Sequence, residues 1–325
     1  MLLLPLGVPQ NITLGGALRP PPGGGRVKFL ATLRNAALEP FLSGGAAALA
    51  AAGAGGAGAA SGGLWRPDAV LFANDVFFCA GDALRLLAHG ADLACGLDFY
   101  TGAWQAAAAA APPGGGAGGG EGEDEDDVML LREWVARDVS GARFRNLRPY
   151  VSHAPSAARL AAGLPFPAAC CWDGLAAIAS APLVAGGLRF RAPRAGECRA
   201  SECSLLCDDL HRTGRRLVVV DPGVRIAYEW EQALQLMDAA GAAAGGAPPA
   251  RPWADVAAAP AAAALAAGGG PWRLRLDRVE CCDLAPGKSY VNFRRDCHPG
   301  DVLAKNFTRG FLEGAAAAAA AAREG

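Results

Sequence analysis

Apolar residues recur at three- and four-residue intervals through residues 26–41 (RVKFLATLRNAALEPF) with few breakers, the pattern of an amphipathic helix. After a Gly/Ala tract the pattern contracts. Residues 68–73 (DAVLFA) form a short apolar run suited to a buried strand, and Asn74 and Asp75 follow at once. Residues 80–89 return to helical spacing, and residues 91–99 (ADLACGLDF) predict a second strand ending at an acidic residue, Asp98. The acidic run 121–127 reads as a solvated loop, and structure resumes over 134–141. Residues 168–179 (AACCWDGLAAIA) predict a turn and a strand, and residues 201–212 (SECSLLCDDLHR) a helix capped by Ser201. Residues 216–220 (RLVVV) predict a strand, with Pro222 and Gly223 as a turn. Strands alternating with helices place the chain in the α/β class. The expectation is a mostly parallel sheet with helices on both faces, in a single domain with low-complexity insertions. That domain spans 1–238; 239–270 is expected to be a disordered linker, 271–314 a cysteine-bearing element and 315–325 a low-complexity tail.

Composition changes the picture in three ways. Much of the 52% hydrophobic content is alanine in tracts shared with many of the 44 glycines, and such tracts bury little. Setting aside 44–63, 106–127, 239–270 and 315–325 leaves roughly 240 residues of varied sequence, enough for one α/β domain. A formal net charge of −1 supplies no basic stripe to replace phosphate counterions, which argues against nucleic acid as a partner. Ten cysteines lack the paired CxxC spacing of structural zinc sites, so disulfides formed in an oxidising lumen are preferred over free buried thiols. Sequons at Asn11 and Asn306 fit a lumenal location. The opening MLLLPLG is too short and lacks a basic flank to be a signal peptide or a span, so any targeting segment is expected outside this chain.

Candidate chemistry centres on Asp75. Ligands of open α/β sheets bind where strands end, and a carboxylate there suits Mn²⁺ or Mg²⁺ bridging diphosphate oxygens. The alternative is a helix or turn cap. Asp98 poses the same choice. Glu197 and Glu202 flank the start of a helix, where an acid either complements the helix dipole or orients an acceptor hydroxyl. Trp172, beside Gly174, serves either as a sugar-stacking surface or as core. His298, with Asp296 nearby, is either a metal ligand or a surface histidine. Dehydrogenase, P-loop, serine-hydrolase and zinc-protease motifs are absent.

Taken in order, several segments resemble the cryptococcal mannosyltransferase family of capsule-associated α-1,3-mannosyltransferases, glycosyltransferase family 69. They are RVKFLATLRNAALEPF, DAVLFANDVFFCAGDALRLL, ADLACGLDFY, WVARDVSG, CCWDGLAAI, LRFR and GECRASECSLLCDDLHRTG, running on to Tyr228. The resemblance implies a GT-A-like fold, a nucleotide-sugar donor such as GDP-mannose, a glycan acceptor and a divalent metal. It also implies a Golgi or endoplasmic-reticulum lumenal location through a membrane anchor. Carried onto this chain, it implies Arg34 and Asn35 on the donor side and Asn74 and Asp75 as the metal-site pair. Trp172, Asp173 and Gly174 become the sugar-site turn, and Glu197 and Glu202 the acidic pair near the acceptor. Three departures stand out. Asp173 replaces the usual Asn, Arg132 replaces an expected Asp in LLREW, and the family's first strand has no counterpart before Leu6. The competing readings are a non-catalytic glycan-binding relative and a glycosidase with two opposed carboxylates.

Overall fold

The computed structural model describes residue 19 and residues 25–42, 68–102, 128–131, 135–195, 197–238, 250–282, 291, 297–300 and 302. In chain order the elements are α1 (Arg26–Leu42), β1 (Ala69–Ala73), α2 (Ala80–Ala88), β2 (Leu93–Gly102), β3 (Val128–Leu131) and β4 (Arg137–Asp138). Then come α3 (Ala154–Ala161), β5 (Phe166–Cys170), β6 (Leu175–Ala179), α4 (Ser180–Val184), α5 (Glu202–Arg212), β7 (Val218–Ile226) and α6 (Trp230–Asp238). The C-terminal part adds α7 (Trp253–Ala258), α8 (Ala262–Gly268), two 3₁₀ turns (Gly270–Trp272 and Leu276–Arg278), and the hairpin β8 (Val279–Cys282) and β9 (Cys297–Gly300).

The seven-stranded sheet runs β1-β6-β2-β7-β5-β4, with β3 paired to β2. Only β2 and β7 pair in parallel; the other pairings in this sheet are antiparallel. The expected mostly parallel sheet is therefore corrected to a mixed, mostly antiparallel one. The physical reason lies in what a continuous apolar run reports, which is burial on both faces and not strand direction. Both faces are indeed covered. Leu93, Cys95 and Leu97 of β2, Ile178 of β6 and Val218 and Val220 of β7 enter one core, beneath α5 and α3. Their alternates Ala94, Ala177 and Val219 enter a second core with Leu86 of α2.

Two local expectations also change. The 168–179 segment is two strands joined by the turn 171–174. Pro222 and Gly223 lie inside β7, where the β2–β7 register jumps from Cys95↔Val220 to Leu97↔Arg225. The turn chemistry there serves a bulge, and Gly96 opposite it has no space for a Cβ, which would lie 2.6 Å from the Val224 carbonyl oxygen. The stretch expected as a linker carries α7 and α8 over part of its length, while 239–249 lies outside the described residues, as do the acidic run, both sequons and Arg132.

Four disulfides join the described residues: Cys95–Cys171, Cys170–Cys207, Cys198–Cys281 and Cys282–Cys297. Cys79 and Cys203 remain thiols. Ser201 caps α5 as read from sequence, its hydroxyl accepting from Ser204 N at 3.2 Å. None of the described helices is long and apolar enough to cross a membrane.

Candidate active site

β1 stops where its apolar run stops, and the backbone N–H of Asn74 then donates to the Gly174 carbonyl at 2.8 Å. That bond brings the end of β1 against the turn between β5 and β6. The turn needs left-handed backbone at two successive residues, Asp173 (φ 43°) and Gly174 (φ 85°). A Cβ on Gly174 would lie 2.7 Å from Val76 Cγ1 and 3.2 Å from the Tyr228 hydroxyl, so glycine is what lets Tyr228 approach the turn.

Arg34 reaches this point from α1. Its Nε donates to Glu202 Oε1 at 3.0 Å and its Nη1 to Asn74 Oδ1 at 3.3 Å. The guanidinium lies 4.8 Å from the Trp172 ring centre and 5.4 Å from that of Phe190. Phe72, Trp172 and Phe190 pack around one another with centroids 5.4–5.5 Å apart. One arginine thus joins α1, the end of β1, the site turn and the first residue of α5.

Three aspartates share the cleft with Glu202. Asp75 is exposed, whereas Asp98 and Asp173 are 3% and 8% exposed. Burial holds the Asp173 carboxyl well above the usual carboxylate range; Asp98 pushes it further and Arg137 opposes. Burial likewise raises the Tyr228 phenol, opposed by its hydrogen bond with Asn74 and reinforced by Asp98, Asp75 and Asp173. Trp172 Nε1 and Asp173 Oδ2 are buried and have no hydrogen-bond partner among the described residues. Both atoms lie out of the reach of solvent, and Trp172 belongs to the core, so of its two sequence readings the core one holds.

Of the residues singled out from sequence, Arg34, Asn74, Asp75, Asp98, Trp172, Asp173, Gly174 and Glu202 converge here. Asn35 is on the same helix, but its amide pins the Phe190 backbone with bonds of 2.7 and 3.0 Å. Glu197 sits in a separate network, accepting from Arg191 Nη1 at 2.5 Å and Arg194 N at 2.8 Å, while Arg191 also holds Asp209. His298 lies in β9 opposite Cys281, and its side chain and Asp296 fall outside the described residues. Tyr228 is the residue that sequence reasoning missed. The available signal was the one that exposed Asp75, a polar side chain just past a buried strand.

Asp75 and Asp98 are the cleft residues that offer carboxylate oxygens of the kind a hard divalent cation takes. The described grouping of Glu280, Cys282 and Cys297 does not suit one, because both sulfurs are committed to a disulfide.

The family model for Cryptococcal mannosyltransferase 1 matches residues 6–209, a span holding every residue of this cleft except Tyr228. Over 231 residues the chain is 27% identical to alpha-1,3-mannosyltransferase CMT1 of Cryptococcus neoformans var. neoformans serotype D. That alignment covers 66% of this chain and 42% of the relative, so the chain spans well under half of the relative's length. No solved structure matches.

Proposed function

Because the chain belongs to the Cryptococcal mannosyltransferase 1 family, we propose that it is a glycosyltransferase of GT-A-like type, moving mannose from GDP-mannose to a glycan acceptor in α-1,3 linkage. The observation that carries this reading is the convergence of Asn74, Asp75, Asp98, Asp173 and Tyr228 around one turn, tied to Glu202 through Arg34. Asp75 would hold Mn²⁺ or Mg²⁺, and Asp98 would supply a second oxygen. When bound, such an ion neutralises charge developing on the departing diphosphate.

The protein's own groups account for the rest. Trp172 is core, 3% exposed, and holds the site turn in place by packing against Phe72, Phe190 and the Arg34 guanidinium. Arg34 fixes both the Glu202 carboxylate and the Asn74 amide, so the acceptor side and the donor side of the cleft move as one piece. Glu202 orients the acceptor hydroxyl. The protein works in the Golgi or endoplasmic-reticulum lumen, attached to the membrane by an anchor.

Calorimetry with GDP and with UDP, each with and without Mn²⁺, tests the reading. Metal-dependent binding of GDP is expected. Binding of UDP alone would move the donor to a UDP-sugar, and binding of neither would remove the transferase assignment.

A further inference from the structure

A cavity of about 610 Å³ lies at the opposite end of β5 from the site turn, and none of the cleft residues lines it. Its floor is Val139 and the first residues of β5, with Arg216 at the entry to β7; its roof is the segment from α8 through the second 3₁₀ turn. The roof is fastened to the sheet domain. Arg275 N donates to the Val139 carbonyl at 2.9 Å, Glu280 N to that of Gly141 at 2.7 Å, and Arg137 Nε to that of Glu280 at 2.8 Å. The Cys198–Cys281 disulfide closes the same junction covalently. The roof also lies beyond the 6–209 stretch that the family model matches.

The lining has a definite chemistry. Three arginines, Arg216, Arg273 and Arg275, and one acid, Asp277, line it. Arg275 and Asp277 neutralise each other through bonds of 3.0 and 2.8 Å. Arg216 and Arg273 have no ion-pair partner among the described residues. Guanidinium groups match carboxylate and phosphate oxygens with paired donors. Trp272, held edge-on by His153 at 5.4 Å, adds the apolar surface that a sugar ring packs against. The volume falls within the range of small-ligand sites.

We propose that this cavity is a second binding site, for an acidic saccharide, with the anionic group on Arg216 and Arg273 and the sugar ring against Trp272. It goes beyond the transfer site by giving the protein a hold on a charged glycan away from the point of reaction.

Calorimetry on the full chain with digalacturonate, glucose 6-phosphate, maltose and inorganic phosphate tests it. One or both anionic sugars should bind at least tenfold more tightly than maltose, with affinity falling as salt rises. A preference for digalacturonate assigns a uronate and a preference for glucose 6-phosphate a sugar phosphate; either supports the site. Arg216→Ala combined with Arg273→Ala should weaken that binding at least tenfold while melting temperature and GDP binding hold. No binding of either anionic sugar, equal binding of maltose, inorganic phosphate matching the sugar phosphate, or full affinity in the double variant would each overturn the proposal.

Discussion

Asp75 is exposed and stands just past the last residue of β1, so its charge can be removed without touching a packed contact. Asp75→Asn should lower turnover by about 10²–10³ and change stability by less than about 1 kcal/mol. Transfer and thermal unfolding measured on one preparation check this; wild-type turnover would remove Asp75 from the metal site, since the helix that follows is capped at Cys79 and not at Asp75. Asp173 makes the opposite prediction. Its folded-state pKa lies well above the unfolded value, so the proton it keeps stabilises the fold at low pH, and that contribution is lost as pH rises through the folded value. Asp173→Asn, the residue that the family resemblance implies here, should therefore gain melting temperature over the wild type, and gain more at pH 8 than at pH 5. Equal gains at both would mean the carboxyl ionises freely in the fold. At this scale the sequence was most legible where a polar residue interrupts an apolar run, as at Asn74 and Asp75. It was least legible where three-dimensional partners decide a role. Glu197 and Glu202 have similar local settings, yet one is held by Arg191 and the other by Arg34 from a helix 168 positions away.

The strands β2 and β3 form a hairpin whose last registered pair is Gly102↔Val128. The ends of the intervening segment are therefore already adjacent, and its length is set by nothing in the sheet. Deleting residues 107–120 shortens the connection from about 25 to about 11 residues, which lowers closure entropy by about 0.7 kcal/mol. Melting temperature should hold or rise by a few degrees in calorimetry; a fall of about ten degrees would mean that the deleted tract packs. Helices and strands were mostly legible as elements, because their periodicities are local. Strand direction was not, since a strand buried on both faces carries the same apolar run whichever way it points. Pro222 and Gly223 show the same limit. Their turn chemistry was visible, but only the partner strand reveals that it makes a bulge inside β7.

For the whole molecule, the junction between the sheet domain and the C-terminal element is the feature that local patterns hid. Alanine- and glycine-rich sequence resembles a linker, yet α8 rests on β5 and β8 is bolted back to Cys198, in the segment leading into α5. Cys198–Cys281 closes a loop of 83 residues, so replacing both cysteines with serine should cost about 4.5 kcal/mol, read as an earlier denaturation midpoint in urea. GDP affinity should stay within about threefold, because the cleft residues lie on α1, the sheet and α5. A loss of nucleotide binding in that variant would show that the C-terminal element shapes the cleft.

The two cysteine doublets have a consequence for how the chain is made. Cys171 crosses over β7, its sulfur 3.6 Å from the Val219 carbonyl, to reach Cys95, while its neighbour Cys170 turns to Cys207. Cys281 and Cys282 divide in the same way between Cys198 and Cys297. During synthesis Cys95 waits through 75 residues and then meets the wrong sulfur one residue before the right one. The second doublet repeats the choice in reverse order. Material produced without an isomerase should thus contain swapped forms of identical mass, which intact-mass measurement passes as correct and which cleavage between the two adjacent cysteines of a doublet tells apart.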